Sequence, residues 1–182
     1  MSQITYKRSL DRFRKMVLMA MFGSLMYISQ LLMAFLPNIH MIAMFIAVLT
    51  IVYRKWALLA IFVYVMLNGL FGGFTVWWLP YIYIWALLWL ALMLIPKKMK
   101  LKYSIPIAAV ICALHGFLFG VLCAPSQAIV YGFNFEQTLA WIAAGFYFDI
   151  IHGIGNIVMS TLIYPLIKLL FRLERISVEK GQ

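Results

Sequence analysis

Long apolar runs separated by short polar breaks set the pattern of this chain. The apolar residues are continuous and do not alternate, so helices are predicted and a β-barrel is not. The runs mark six membrane spans: Met16–Leu36, Met41–Tyr53, Trp56–Phe74, Trp77–Ile95, Ile105–Cys123 and a sixth whose apolar pattern starts at Leu139. The second is short for a bilayer, which takes about 20 apolar residues. Arg54 and Lys55 follow it and can snorkel. Pro37-Asn38-Ile39-His40 reads as a tight turn, Pro96-Lys97-Lys98 as a helix stop and Ala124–Phe135 as a loop. Asn134 with Gln137 three residues on fits a capping box opening the sixth span. From Leu139 the apolar pattern runs to Phe171, roughly 50 Å at the helical rise and too long for one crossing. Gly153, Gly155 and Pro165 offer bends there. Lys168, Arg172 and Arg175 stand at i, i+4 and i+7, so the tail is expected to lie along the membrane surface.

Composition agrees with that pattern. The chain is 66% hydrophobic and 11% charged, which excludes an ordinary soluble domain. The expected class is an all-α integral membrane protein of one domain. Residues 1–15 form a basic interfacial segment, 16–171 a six-helix bundle and 172–182 a cytoplasmic tail. Met16–Leu36 is too long for a signal-peptide core and reads as the first span. Every Lys and Arg falls in 1–15, 54–55, 97–102 or 168–180, and the intervening connections 37–40, 72–76 and 124–136 have none. By the positive-inside rule both termini are cytoplasmic, and the short second span must cross to keep the alternation. The net charge of +10 sits at membrane boundaries, so anionic lipids are the expected partners and nucleic acid is not. Cys112 and Cys123 are predicted about 16 Å apart on one helix, as packing residues that cannot bridge.

The candidate chemistry centres on the sixth span. Asp149, His152 and Asn156 stand at i, i+3 and i+7, and Gly145 and Ser160 extend the stripe. Ionisable groups at membrane depth face a bundle interior or a wet cavity, which favours a site over helix glue. Asp149 and His152 are also within reach of each other. Asn68 and His115 are expected at the same depth as Asp149. These residues make either a packing network or the floor of an outward pocket, with Tyr131, Glu136, Trp141 and the fourth span as walls. Tyr81 and Trp85 stand one turn apart on that span, as pocket lining or as part of an aromatic belt. The candidate binding residues are thus Asn68, Tyr81, Trp85, His115, Tyr131, Trp141, Asp149 and His152. With no Lys or Arg in the outer half, a neutral or cationic ligand fits better than an anion, though a helix N-terminus can also hold an anion. A metal site from His115, His152 and Asp149 ranks below a packing role. No phosphate-binding G-x-x-x-x-G-K-[ST], H-E-x-x-H or G-x-S-x-G occurs, so neither an ATP site of its own nor an enzyme is predicted. Ala20, Gly23 and Ser24 form a small-residue patch that lets another helix approach.

Six spans in this length, basic inner termini, the first-span small-residue motif and an aromatic, uncharged outer side resemble the substrate-binding S components of energy-coupling-factor transporters. The strings Phe35-Leu36-Pro37-Asn38 and Phe148-Asp149-Ile150-Ile151-His152-Gly153-Ile154-Gly155-Asn156 add to the likeness. The family's Ala-x-x-x-Ala motif maps to Ala20 and Ser24, with Ser in place of the second Ala. The resemblance implies a vitamin-capturing subunit of the bacterial cytoplasmic membrane. It would dock through the first span on a coupling transmembrane subunit driven by two ATPases, and hold no cofactor of its own. The chain most nearly resembles the cobalamin-specific S components; pyridoxine, riboflavin or a thiamin precursor are the alternative cargoes. A non-transporting membrane assembly subunit is the competing class.

Overall fold

The structure, a computed structural model, describes residues 3–179. Of the predicted basic clusters, Lys180 and the side chains of Lys7, Arg8 and Arg175 lie outside the described residues. Among the described residues the chain is helical, with no strand. The helices are α1 (Gln3–Leu32), α2 (Ile42–Tyr53), α3 (Ala57–Gly72), α4 (Tyr81–Met93), α5 (Leu101–Phe117), α6 (Phe119–Tyr131), α7 (Phe135–Ser160) and α8 (Ile163–Glu179). Three stretches are long and apolar enough to cross a membrane: Ser9–Leu32, Ile42–Gly72 and Phe135–Ser160. The bent pair α5–α6 makes a fourth if counted as one span, and α4 is apolar but shorter. The predicted basic segment is not a separate element, because α1 continues through it from Gln3.

The short helix α2 is apolar on every face, and ten of its twelve residues are buried. A helix of that kind belongs inside a bundle. Protein surrounds it, so it need not match the bilayer's thickness. A 3-10 turn at Arg54–Trp56 joins it to α3, and Arg54 takes φ 55°. His40, just before α2, and Tyr64, on α3, both pack on Trp85, with ring centroids 5.7 and 5.9 Å away. One straight helix would set those residues roughly 35 Å apart, so the chain folds back at Arg54. The Arg54 guanidinium donates to the carbonyls of Met93 (2.7 Å) and Ile95 (3.0 Å) at the end of α4. Those carbonyls have no partner inside the helix, and the cation fits the negative end of its dipole. Arg54 and Lys97 thus come to one end of the bundle. At the other end, Asn38 donates to the Phe148 carbonyl (3.3 Å) and Gln127 to that of Val76 (3.4 Å).

Glycines let α5 and α7 pack backbone to backbone. A Cβ on Gly116 would sit 2.8 Å from Gly153 Cα and from Asn156 Nδ2. One on Gly153 would collide with the Phe117 ring. Gly153 and Gly155 are therefore not bends: α7 runs unbroken through both to Ser160. The chain turns instead at Thr161-Leu162, and Pro165 lies in the first turn of α8, where its missing N–H costs no helical bond. On α8, Ile163, Ile167 and Leu170 are buried, while Lys168 and Arg172 are exposed, as an amphipathic tail requires.

Two further boundaries differ from expectation. The predicted single span Ile105–Cys123 begins at Leu101 and breaks at Leu118, where α6 departs at 42°. Cys112 and Cys123 consequently sit on different helices, both buried and free. The predicted loop Ala124–Phe135 is helical to Tyr131, and Gly132 ends it in the left-handed region at φ 67°. Pro125 and Ser126 read as turn residues, but Cys123, Ala124 and Gln127 are buried on one face and hold the helix in the bundle. The Asn134–Gln137 capping box is formed: Asn134 N–H donates to Gln137 Oε1 (2.9 Å) and Gln137 N–H to Asn134 Oδ1 (2.8 Å).

Candidate functional site

The stripe on α7 points inward. Asp149, His152, Asn156 and Ser160 are all buried, while Ile154, Ile157 and Val158 on other faces of the helix are exposed. Each stripe residue meets a different partner. Gly120 N–H, in the first turn of α6, donates to both oxygens of the Asp149 carboxylate, at 2.9 and 3.0 Å. Helix N-termini carry unpaired N–H groups and a partial positive charge, so a carboxylate there is stabilising. Asp149 thus caps the broken helix and does not pair with His152. Asn156 donates to the Cys112 carbonyl at 2.9 Å, and Ser160 to that of Asn156 at 2.6 Å.

His152 sits among rings. Its centroid is 4.7 Å from His40 and 4.6 Å from Phe119. His40 in turn lies 5.7 Å from Trp85, and Trp85 lies 5.5 Å from His115. All three histidines of the chain therefore gather around Trp85 and Phe119. No protein partner reaches His40 Nδ1, His115 Nδ1, His152 Nε2 or Trp85 Nε1. Four unsatisfied polar atoms in one cluster are unusual, because buried polar groups are nearly always bonded. His115 Nε2 has a partner, the Ile84 carbonyl at 3.2 Å. Among the described residues no group of three metal-binding side chains is brought to metal-holding geometry.

Above this cluster lie two cavities at the end away from Arg54. One, of about 340 Å³, is bounded by the end of α1, the 36–40 turn, α3 and α7. Its polar lining includes Gln30, Asn38, His40, Asn68, Tyr81 and His152. The second, of about 320 Å³, lies between α4, α6 and α7. Trp77, Trp141 and Phe148 give it aromatic walls, and Asp149 is its one charged residue. Asn38, Tyr81 and Phe119 line both, so the two lobes adjoin.

Of the candidate binding residues, Asn68, Tyr81, Trp141, Asp149 and His152 line these lobes. Trp85 and His115 do not; they pack beneath as a supporting layer, and Trp85 has no exposed surface. Tyr131 lies outside both lobes, exposed and stacked on Phe133, with centroids 5.4 Å apart. Sequence reasoning missed Asn38, His40 and Phe119. Asn38 carries a local sign, its place after Pro37 in a turn where it takes φ 59°. His40 and Phe119 carry none, because only the tertiary fold brings them to His152.

The small-residue patch on α1 divides. Ala20 and Ser24 lie in an apolar groove of about 700 Å³ on the outer face, with Val17, Met21, Leu25 and Ile28. Gly23 turns the other way: a Cβ there would lie 2.6 Å from the Ala60 carbonyl oxygen of α3. Its expected role in partner docking is therefore replaced by packing of α1 on α3. No protein-family model, curated protein or solved structure matches this chain.

Proposed function

We propose that this chain is the solute-capturing S component of an energy-coupling-factor importer, with six spans and both termini in the cytoplasm. One observation carries the reading: a two-lobed cavity with polar and aromatic walls, free of Lys and Arg, at the bundle end opposite Arg54 and Lys97. The positive-inside rule turns that cavity outward, across a bacterial cytoplasmic membrane. The open groove at Ala20 and Ser24 supports docking on a coupling transmembrane subunit, with ATP hydrolysed by two partner ATPases. Anionic lipids would meet the basic end.

The cargo is an uncharged or cationic vitamin. Cobalamin comes first by resemblance. Each lobe lies near the lower end of small-molecule sites, about 300–1,000 Å³. That volume favours riboflavin, pyridoxine or a thiamin precursor over the larger cobalamin. The competing reading, a non-transporting assembly subunit, draws on the backbone partners of Asp149 and Asn156, which serve packing without any ligand. Thermal unfolding of the purified protein across a vitamin panel separates the two. One vitamin is expected to raise the midpoint, by about 2.7 kcal/mol of added stability at a hundredfold excess over Kd. No shift with any vitamin, on protein shown to be folded, would favour the assembly subunit.

A further inference from the structure

Arg54 is a half-buried cation without an anion. Its guanidinium donates to the Met93 and Ile95 carbonyls, which use only part of its set of donors. Among the described residues no carboxylate pairs with it. Asp149 is taken by Gly120, and Glu174 on α8 faces the Tyr53 hydroxyl. Charges drawn away from water are ordinarily paired. The backbone is unusual at the same residue: φ is 55° and ψ −119°, which residues with a side chain seldom adopt. Strained positions of that kind collect at ligand sites.

Arg54 lines a cavity of about 200 Å³ at the basic end of the bundle. The α2–α3 turn, the connection from α4 to α5, the first turn of α5 and Phe171 of α8 enclose it. Its polar side chains are Arg54, Lys97 and Ser104, and neither Asp nor Glu lines it. Ser104 is buried, and its hydroxyl makes only a long bond, 3.4 Å, to the Leu101 carbonyl. The first turn of α5 reaches the cavity at Leu101, with no side-chain cap and no acid in that turn. Its N–H groups and dipole add to the preference for negative charge that the two cations set. The remaining walls are apolar, Ile51, Ile95, Pro96 and Met99 among them. Phe171 is 47% exposed, and Leu94, next to Ile95, is 80% exposed. Apolar surface therefore continues from the cavity to the outside of the bundle, where acyl chains lie.

We infer that this cavity is a binding site for the headgroup phosphate of one anionic phospholipid. Arg54, Lys97 and the Ser104 hydroxyl serve the phosphate oxygens, and the apolar walls serve the glycerol and the first methylenes. Basic cavities between membrane helices at the cytoplasmic face have this chemistry. A zwitterionic lipid brings the same phosphate, but its ammonium meets two cations and no carboxylate here. A free phosphate ion leaves the apolar walls unused. The inference needs only a membrane-embedded chain and is independent of the capture reading.

The test is lipid titration of the purified full chain in a neutral detergent, read by native mass spectrometry, with phosphatidylglycerol, phosphatidylcholine and inorganic phosphate as probes. One phosphatidylglycerol per chain should be retained, at least about fivefold tighter than phosphatidylcholine. Inorganic phosphate at the same concentration should not displace it. Lys97→Ala should weaken phosphatidylglycerol about fivefold, while Lys98→Ala, an exposed neighbour outside the cavity, should change it less than about twofold. Arg54→Gln should weaken it about tenfold or more. If that variant does not fold, the two lysines decide. Equal losses at Lys97 and Lys98 would mean diffuse attraction to the basic end and overturn the site. Equal binding of the two lipids, or no lipid retained by folded protein, overturns it as well. Displacement by inorganic phosphate would make the free ion the ligand and overturn the lipid assignment.

Discussion

Asp149→Ala is expected to lower the stability of the folded protein by about 1.5–3 kcal/mol, the usual worth of a hydrogen bond to a charged group. The reason is the break at Leu118. There α6 starts afresh in the bundle interior, and Gly120 N–H finds its acceptor on α7. Alanine leaves that donor buried and unpaired. Asp149→Asn keeps one side-chain oxygen for it and should cost clearly less. Thermal unfolding in detergent, followed by tryptophan fluorescence, gives both values. An alanine variant as stable as the native protein would mean that the cap contributes nothing. The same residue lines the aromatic lobe, so the asparagine variant also separates roles. If it stays folded and loses ligand affinity, Asp149 serves the site as well as the helix.

Ala20→Trp and Ser24→Trp should each reduce vitamin uptake by cells to the level of cells lacking the protein, with ligand binding unchanged. Both side chains lie in the outer groove of α1, half-buried beside exposed Val17, Met21 and Leu25. An indole placed there projects away from the bundle and fills the space that a partner helix would use. Gly23→Trp is the control with the opposite outcome, because it faces Ala60 and Val63 and should unfold the α1–α3 contact. Uptake measured beside binding for the same variants distinguishes docking from capture. Normal uptake by both groove variants would remove the docking role from this face.

The inward stripe and the capping box were legible because each is periodic or local. A 3.6-residue period puts Asp149, His152 and Asn156 on one face whatever packs against it. The Asn134–Gln137 box needs only three residues of spacing. The break at Leu118 was not legible: Gly116 and Gly120 flank it, but glycine in an apolar helix does not by itself mark a break, and the acceptor that holds the new helix start is 29 residues away on Asp149. Gly153 and Gly155 misled in the opposite direction. Glycine in a helix signals either a bend or a close neighbour, and only the fold supplies Gly116 and Phe117 beside Gly153 and Ile39 beside Gly155. The site shared that fate. Tyr81 and Trp141 stood out as aromatics, while His40 and Phe119 gained meaning only once three elements met at His152. Trp85, a candidate for pocket lining or for the aromatic belt, is neither and lies beneath the site, because a ring touched by Tyr64, Tyr81, His40, His115 and Phe119 has no face left for a ligand.

Capture from outside depends on which way the two lobes face. Glu136, exposed in the first turn of α7, marks the end without Lys or Arg, and Lys98, exposed after α4, marks the other. Single cysteines, Glu136→Cys and Lys98→Cys, in a Cys112→Ala and Cys123→Ala background can be treated on intact cells with a membrane-impermeant maleimide. Labelling at position 136 on intact cells, with position 98 reacting only after the cells are broken, is the predicted result. Reaction at 98 from outside, with 136 protected until lysis, would turn the cavity toward the cytoplasm and contradict capture from outside.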